Sequence, residues 1–360
     1  MRARVFYAKF FVTISIFSIL FLNCNSQQKT ESSPFGFKTE KDAKTGWEVI
    51  TLSYKNAQND TLSFAVQLVP QAGNKVLSYI AGNEELLAAP NSLKGLSNSD
   101  AGIEILYPTP LQVRDAKIQW GEQNLEFAAA EGKHRIQNLV NNASWNYEAP
   151  TQDPFGVSLK TWLDFEEGKP WFTAFPFKHR INIEYKLKSE GLQITFKVEN
   201  NSNQVIPFGF GVKPSFTTFD SPKKVELNYP GLNAMEIKDG LPTGKLLPPK
   251  FEPQFSQNSF VSLSEAEPLS VYWGMTPLKP VIIHYLDKKI NIILKTSSEF
   301  THATYEVPDE ISRFSVTSQT CSPDAHNLQN KGLIKQAHII TIEPGKSTQG
   351  FIQYVVTSRD

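Results

Sequence analysis

Two cysteines, Cys24 and Cys321, are the only thiols in 360 residues. A framework of disulfides is therefore excluded, and the fold has to be held by its own core. The six histidines show no HExxH, HxH or Cys/His spacing, so neither a metal site nor a cofactor is expected. Glycine-rich phosphate loops and nucleophile elbows are missing as well. Charge of one sign is also absent: 36 basic residues balance 36 acidic ones with no basic stripe, which removes the electrostatic reason to expect nucleic acid. No helical periodicity of useful length occurs.

What is present is a chain 40% hydrophobic and 12% aromatic, ample for a large core. Arg2, Arg4 and Lys9 precede an apolar run from Phe10 to Leu22, about thirteen residues against the roughly 20 of a spanning helix. That pattern predicts a signal peptide over 1–23. Cys24 then stands where a bacterial lipoprotein is cut and acylated, giving an exported, membrane-anchored protein of the periplasm or cell surface; the plainer alternative is an ordinary signal peptide. Residues 24–44, rich in Gln, Ser, Thr and Lys, read as a flexible tether, and 45–360 as one folded domain. With Cys24 acylated, Cys321 is left alone and reads as a small buried hydrophobe.

Short strand-like segments fill the body, separated by Gly, Pro, Asn and Ser. The clearest is a hairpin: Ile181, Ile183, Tyr185 and Leu187 alternate with polar residues, and after Ser189-Glu190-Gly191 the pattern resumes at Leu192, Ile194, Phe196 and Val198. A third apolar segment, Val205 to Val212, runs into Lys213-Pro214-Ser215-Phe216, where proline ends the ladder and sets Lys213 at a strand end. Many short strands at this spacing give an all-β class, a sandwich or barrel-like pair of sheets.

The order of Phe175-Pro176-Phe177, the hairpin, an Asn-rich bend and Lys213-Pro214-Ser215-Phe216 resembles the galactose mutarotase-like (aldose 1-epimerase) family. Four further places keep the order. Gly73-Asn74-Lys75 with Gly82-Asn83-Glu84 is similar to the family's opening. In Gly102 to Ala116, Leu111-Gln112 stand where the family has a sugar-binding Asn-Arg pair, with Arg114 a substitute two residues on. In Ile136 to Trp145, the family's first histidine falls on Gln137, with His134 as an alternative outside the register. Towards the end, Leu241-Pro242-Thr243-Gly244 matches a turn, Gln257-Asn258 take an Asp-His pair, and the segment Thr317 to Leu328 puts Thr317 at the catalytic glutamate.

The resemblance implies a large antiparallel β-sandwich, a supersandwich of two face-to-face sheets with a sugar cleft. In the family a glutamate base and a histidine acid open the sugar ring; here the position before the proline is Lys213, and the remaining positions hold Gln137, Gln257 and Thr317. Each positioned acid or base contributes on the order of 10² to 10⁴ in rate, so their replacement implies lost mutarotase activity. Binding needs no titrating group, and Gln112, Gln137, Lys213, Gln257 and Thr317, with Trp145 or Phe210 as stacking rings, would hold a mono- or oligosaccharide, an acidic one where Lys213 contacts it. Two other readings stand beside this one. One is an active epimerase or related isomerase that uses Lys213, His134 or an unplaced carboxylate. The other is a structural or partner-binding lipoprotein with a closed cleft.

Overall fold

Strict alternation decides the heart of the molecule. Strands His179–Lys188 and Gly191–Asn200 pair antiparallel around Ser189-Glu190, and every second residue, from Ile181 to Leu187 and from Leu192 to Val198, is buried. The computed structural model describes residues 33–88, 90, 93–98, 101–110, 112–249, 260–309 and 311–359. The expected signal peptide and Cys24 lie outside them. Residues 34–360 form one compact unit.

Two antiparallel sheets make up this unit. The smaller has ten strands among the described residues, with Gly156–Phe165, the hairpin, Ser347–Ser358, Ile290–Thr296 and Val281–Tyr285 as consecutive neighbours. The larger has thirteen. It runs from Phe35–Lys41 through Lys75–Ala81, Ile103–Leu106, Gly211–Pro214, Arg313–Gln319, His302–Glu306 and Leu269–Trp273 to an edge at Leu241–Leu247. One hydrophobic cluster fills the space between the sheets. Hydrogen bonds cross it: Tyr185 donates to the Asn74 carbonyl at 2.6 Å and Tyr79 to the Tyr354 carbonyl at 3.3 Å. Buried phenols of this kind need such partners, because an unpaired hydroxyl in a dry core is costly. This is the all-β sandwich that the alternating segments predict.

One expectation needs correction. The tether does not reach residue 44: Phe35–Lys41 is a strand paired with Glu48–Tyr54. Phe35 packs on Tyr54 at 5.0 Å, and only the polar outer face of this edge strand made it look like a linker. The apolar segment Val205 to Val212 divides between two sheets. Its first part, Ile206–Phe208, pairs with Ile340–Ile342, and its second, Gly211–Pro214, belongs to the larger sheet. The hairpin's neighbour is the C-terminal strand Ser347–Ser358. The segment changes sheets at Gly209, where a Cβ would come within 2.1 Å of Cys321 Sγ. That thiol is buried and its pKa is pushed up by desolvation, in keeping with a packing role.

Alternation also orients the larger sheet. Phe314 and Val316, Val212, Ile103 and Ile105, and Ala303 and Tyr305 point into the core. Thr317, Gln319, Lys213, Thr304 and Glu306 therefore share the face turned away from the smaller sheet. Part of that face is roofed by the short helices Ala325–Asn330 and Ile334–Ala337, whose apolar residues form a small second core with Met235, Val271 and Cys321.

Candidate functional site

Beside that roof, the outward face of the larger sheet holds a hollow lined by Gln112, Arg135, Lys213, Glu306, Thr317 and Gln319, among others. Register builds it. Gly211 pairs with Gln319 and Val212 with Ser318, so the next step along the ladder sets Lys213 beside Thr317. On the other side of that strand, Thr304 pairs with Thr317 and Glu306 with Ser315. Lys213 Nζ lies 2.7 Å from a Glu306 carboxylate oxygen, with the two side chains 10% and 29% exposed. In such a pair, largely withdrawn from water, each group offsets the other's charge.

The other polar groups are partly committed. Ser315 donates to the Pro214 carbonyl at 2.6 Å, and the Gln319 amide donates to Thr304 at 2.9 Å. The Gln319 side-chain oxygen is buried and has no partner among the described residues. An orphan acceptor of this kind calls for a ligand hydroxyl or a water. The free space in the hollow is about 20 Å³, room for one water rather than a sugar ring.

Of the residues singled out in the sequence, Gln112, Lys213 and Thr317 are brought together. Gln137 is not: it is exposed and its amide donates to the Ala129 carbonyl, while its neighbour Asn138 turns inward and donates to the Ile105 carbonyl. Trp145 is 2% exposed and its indole N–H donates to the Val140 carbonyl, so no ring face is open to a ligand. Phe210 is buried against Phe196 at 4.3 Å and is closed in the same way. Gln257 and Leu111 fall outside the described residues. Arg114 is drawn off to Asp324, whose carboxylate accepts from the Arg114 backbone at 2.9 Å and stands 3.7 Å from its guanidinium. His134 lies between Asp115 and Asp239, 3.7 Å from each, and does not line the hollow.

Four polar contributors were missed, among them Gln319, which lies two residues after Thr317 on the same strand face. Arg135 enters because its segment bridges to Gln112. Glu306 and Thr304 come from a strand that lacks an apolar alternation, since Tyr305 is its only large hydrophobe; the signal available was His302, Thr304 and Glu306 at every second position. His302, on the same strand face, is buried beneath the roof with Nε2 donating to the Gln336 carbonyl at 2.8 Å. Desolvation lowers its pKa to about 3, so it is a neutral structural imidazole. Among the described residues no group of three or more His, Cys, Asp or Glu side chains is placed to hold a metal ion.

The sequence profile of aldose 1-epimerases matches residues 62–354, most of the chain. The chain belongs to the aldose 1-epimerase family. Solved structures share the family's fold. A galactose mutarotase-like protein from Clostridium acetobutylicum superposes with a TM-score of 0.77 at 16% identity, covering 91% of this chain and 100% of that one. Galactose 1-epimerase from Lactobacillus acidophilus gives 0.69 at 13% identity, with 91% and 100% covered. An aldose epimerase homologue from C. elegans gives 0.67 at 11%, with 82% and 96% covered. No curated protein sequence matches the chain. Identities this low carry the fold; the chemistry of this aldose 1-epimerase homologue has to be read from its own hollow.

Proposed function

We propose that this member of the aldose 1-epimerase family is a non-catalytic carbohydrate-binding protein. The observation that supports the reading is the Lys213–Glu306 pair at 2.7 Å, in a hollow whose described lining has no imidazole and no second carboxylate. Ring opening needs a base at the anomeric hydroxyl and an acid at the ring oxygen, each free to move a proton. Here the one carboxylate and the one ammonium neutralise each other, and Thr317 is no base without an activator. Hydroxyl recognition is retained through Gln112 and the orphan Gln319 oxygen. A sugar would lie across the mouth of the shallow hollow. An acidic sugar is favoured where its carboxylate contacts the Lys213 ammonium at the edge of the hollow.

Polarimetry with α-glucose and α-galactose tests this reading. Rates equal to buffer are expected, and calorimetry should detect galacturonate binding more strongly than galactose. A second reading draws on the same pair, since a protonated lysine and an ionised glutamate are an acid and a base in their working charge states. Acceleration of mutarotation that disappears in both Lys213→Ala and Glu306→Gln would establish that reading and overturn ours. We further propose export and acylation at Cys24; labelled palmitate should enter the wild type and not Cys24→Ser.

A further inference from the structure

The smaller sheet turns its own outward face to solvent on the opposite side of the sandwich, and that face carries an aromatic side chain the core does not use. In strand Gly156–Phe165, Val157, Leu159, Leu163 and Phe165 are buried in the core, whereas Lys160, Trp162 and Asp164 point outward. Ladder register continues the Trp162 position across five strands: Asn146, Trp162, Asn182, Lys197 and Gln349 are successive partners. At the spacing of neighbouring strands this row is ~19 Å long. A depression of about 340 Å³ lies over four of these positions, Trp162, Asn182, Lys197 and Gln349, reaching Glu148, Glu184 and Thr195 on the adjacent row.

The floor is held rigidly while other groups are left unengaged. Arg180 grips Asp164 through hydrogen bonds of 2.6 and 3.0 Å and stands over one side of the Trp162 ring, 5.7 Å from its centre, which braces the indole from that side. Asn182 donates to Glu199 at 2.9 Å, and Lys197 pairs with the same carboxylate. The indole N–H of Trp162 and the side chains of Lys160, Glu184 and Gln349 have no hydrogen-bond partner among the described residues. The cations Lys160, Arg180 and Lys197 stand among four carboxylates, Glu148, Asp164, Glu184 and Glu199, so no strong net sign favours a polyanion.

We propose that this groove binds a neutral, extended oligosaccharide, with the indole of Trp162 as the platform for one sugar ring. A partly exposed indole matches the apolar C–H face of a pyranose, and amide, ammonium and carboxylate groups on both sides match its hydroxyls. The groove's length suits a chain rather than a single ring. It lies on a different sheet from the Lys213 hollow and stands independently of what that hollow does.

Calorimetric titration of the whole protein with neutral gluco-, xylo- and manno-pentasaccharides tests the inference. One of these is expected to bind, with Trp162→Ala weakening affinity by about tenfold or more, Trp162→Phe recovering part of it, and Gln349→Ala causing a smaller loss. Trp162 lies outside the core cluster, so the variants should fold and unfold cooperatively as the wild type does, with at most a small fall in melting temperature. Binding by none of the sugars, or equal binding by Trp162→Ala, overturns the proposal. So does a wild-type dimer in sedimentation that Trp162→Ala converts to monomer, which would assign the face to a second copy of the chain.

Discussion

The hairpin His179–Lys188 and Gly191–Asn200 has one face in the core and the other in water, whereas strands Gly211–Pro214, His302–Glu306 and Arg313–Gln319 are covered on both faces. The first arrangement concentrates stability: apolar side chains interlock on one side and the polar side asks for nothing. The second brings polar groups out of bulk water, where each must find a partner or wait for one. Ser315, Thr304 and Lys213 have found partners, and the Gln319 oxygen has not. A one-sided sheet thus tolerates change on its wet face, and a two-sided one turns every polar substitution into a question about the hollow.

Phe196→Ala in the hairpin should produce the largest effect, about 3–5 kcal/mol of lost stability in denaturant unfolding, because a buried ring stacked on Phe210 is removed. Thr317→Val on the hollow face should cost about 0.5–1.5 kcal/mol, the net worth of the one long hydrogen bond its hydroxyl shares with Ser315. Equal losses at the two positions would break the comparison.

Acid should separate the regions next. Burial lowers His179 and His326 to about 4 and His302 to about 3. In His179 the hydrogen bond of Nδ1 to the Phe177 carbonyl leaves Nε2 to accept from Tyr107, which a protonated ring could not do. A histidine whose folded pKa lies below its unfolded value binds its proton more readily in the unfolded chain. Its contribution is therefore complete above about pH 6.5 and is lost as pH falls towards 4, on the order of 3 kcal/mol for each such group. Unfolding free energy measured between pH 7 and pH 4 should drop with this slope and flatten in His179→Gln; a slope unchanged in that variant would remove His179 from the account.

Glu306→Gln leaves Lys213 without its anionic partner in a half-dry hollow and should cost about 1–2 kcal/mol, much of it restored in the double variant with Lys213→Met. A double-mutant cycle showing no coupling would dissolve the pair as a unit. Smallest of all, Gln137→Ala should stay within about 0.5 kcal/mol and leave any sugar titration of the hollow unaltered, since its amide reaches only the Ala129 carbonyl at the surface.

Legibility followed the same division. The hairpin's alternation announces itself, and the Lys213-Pro214 strand end was identifiable because proline terminates a ladder. Strand His302–Glu306 was invisible to an apolar period because both its faces are covered, and with it went Glu306, the ion-pair partner of Lys213. Strand Gly156–Phe165 was passed over although its outward Trp162 anchors the groove. Trp145 and Gln137 kept their spacing in the sequence, but one turned into the core and the other into solvent, since position along a chain does not fix which side of a turn a side chain takes.

Period-two patterning, the absence of helical stretches and the ordered landmarks from Gly73 to Leu328 were enough by themselves to determine the all-β class and the aldose 1-epimerase family, because both depend on local backbone preference and on residues read in order. The partner of Lys213, the entry of Arg135 and the row through Trp162 were decided only by the folded chain. Each is a contact between strands far apart in sequence, set by ladder register and sheet pairing, and a single sequence does not encode register in any local signal.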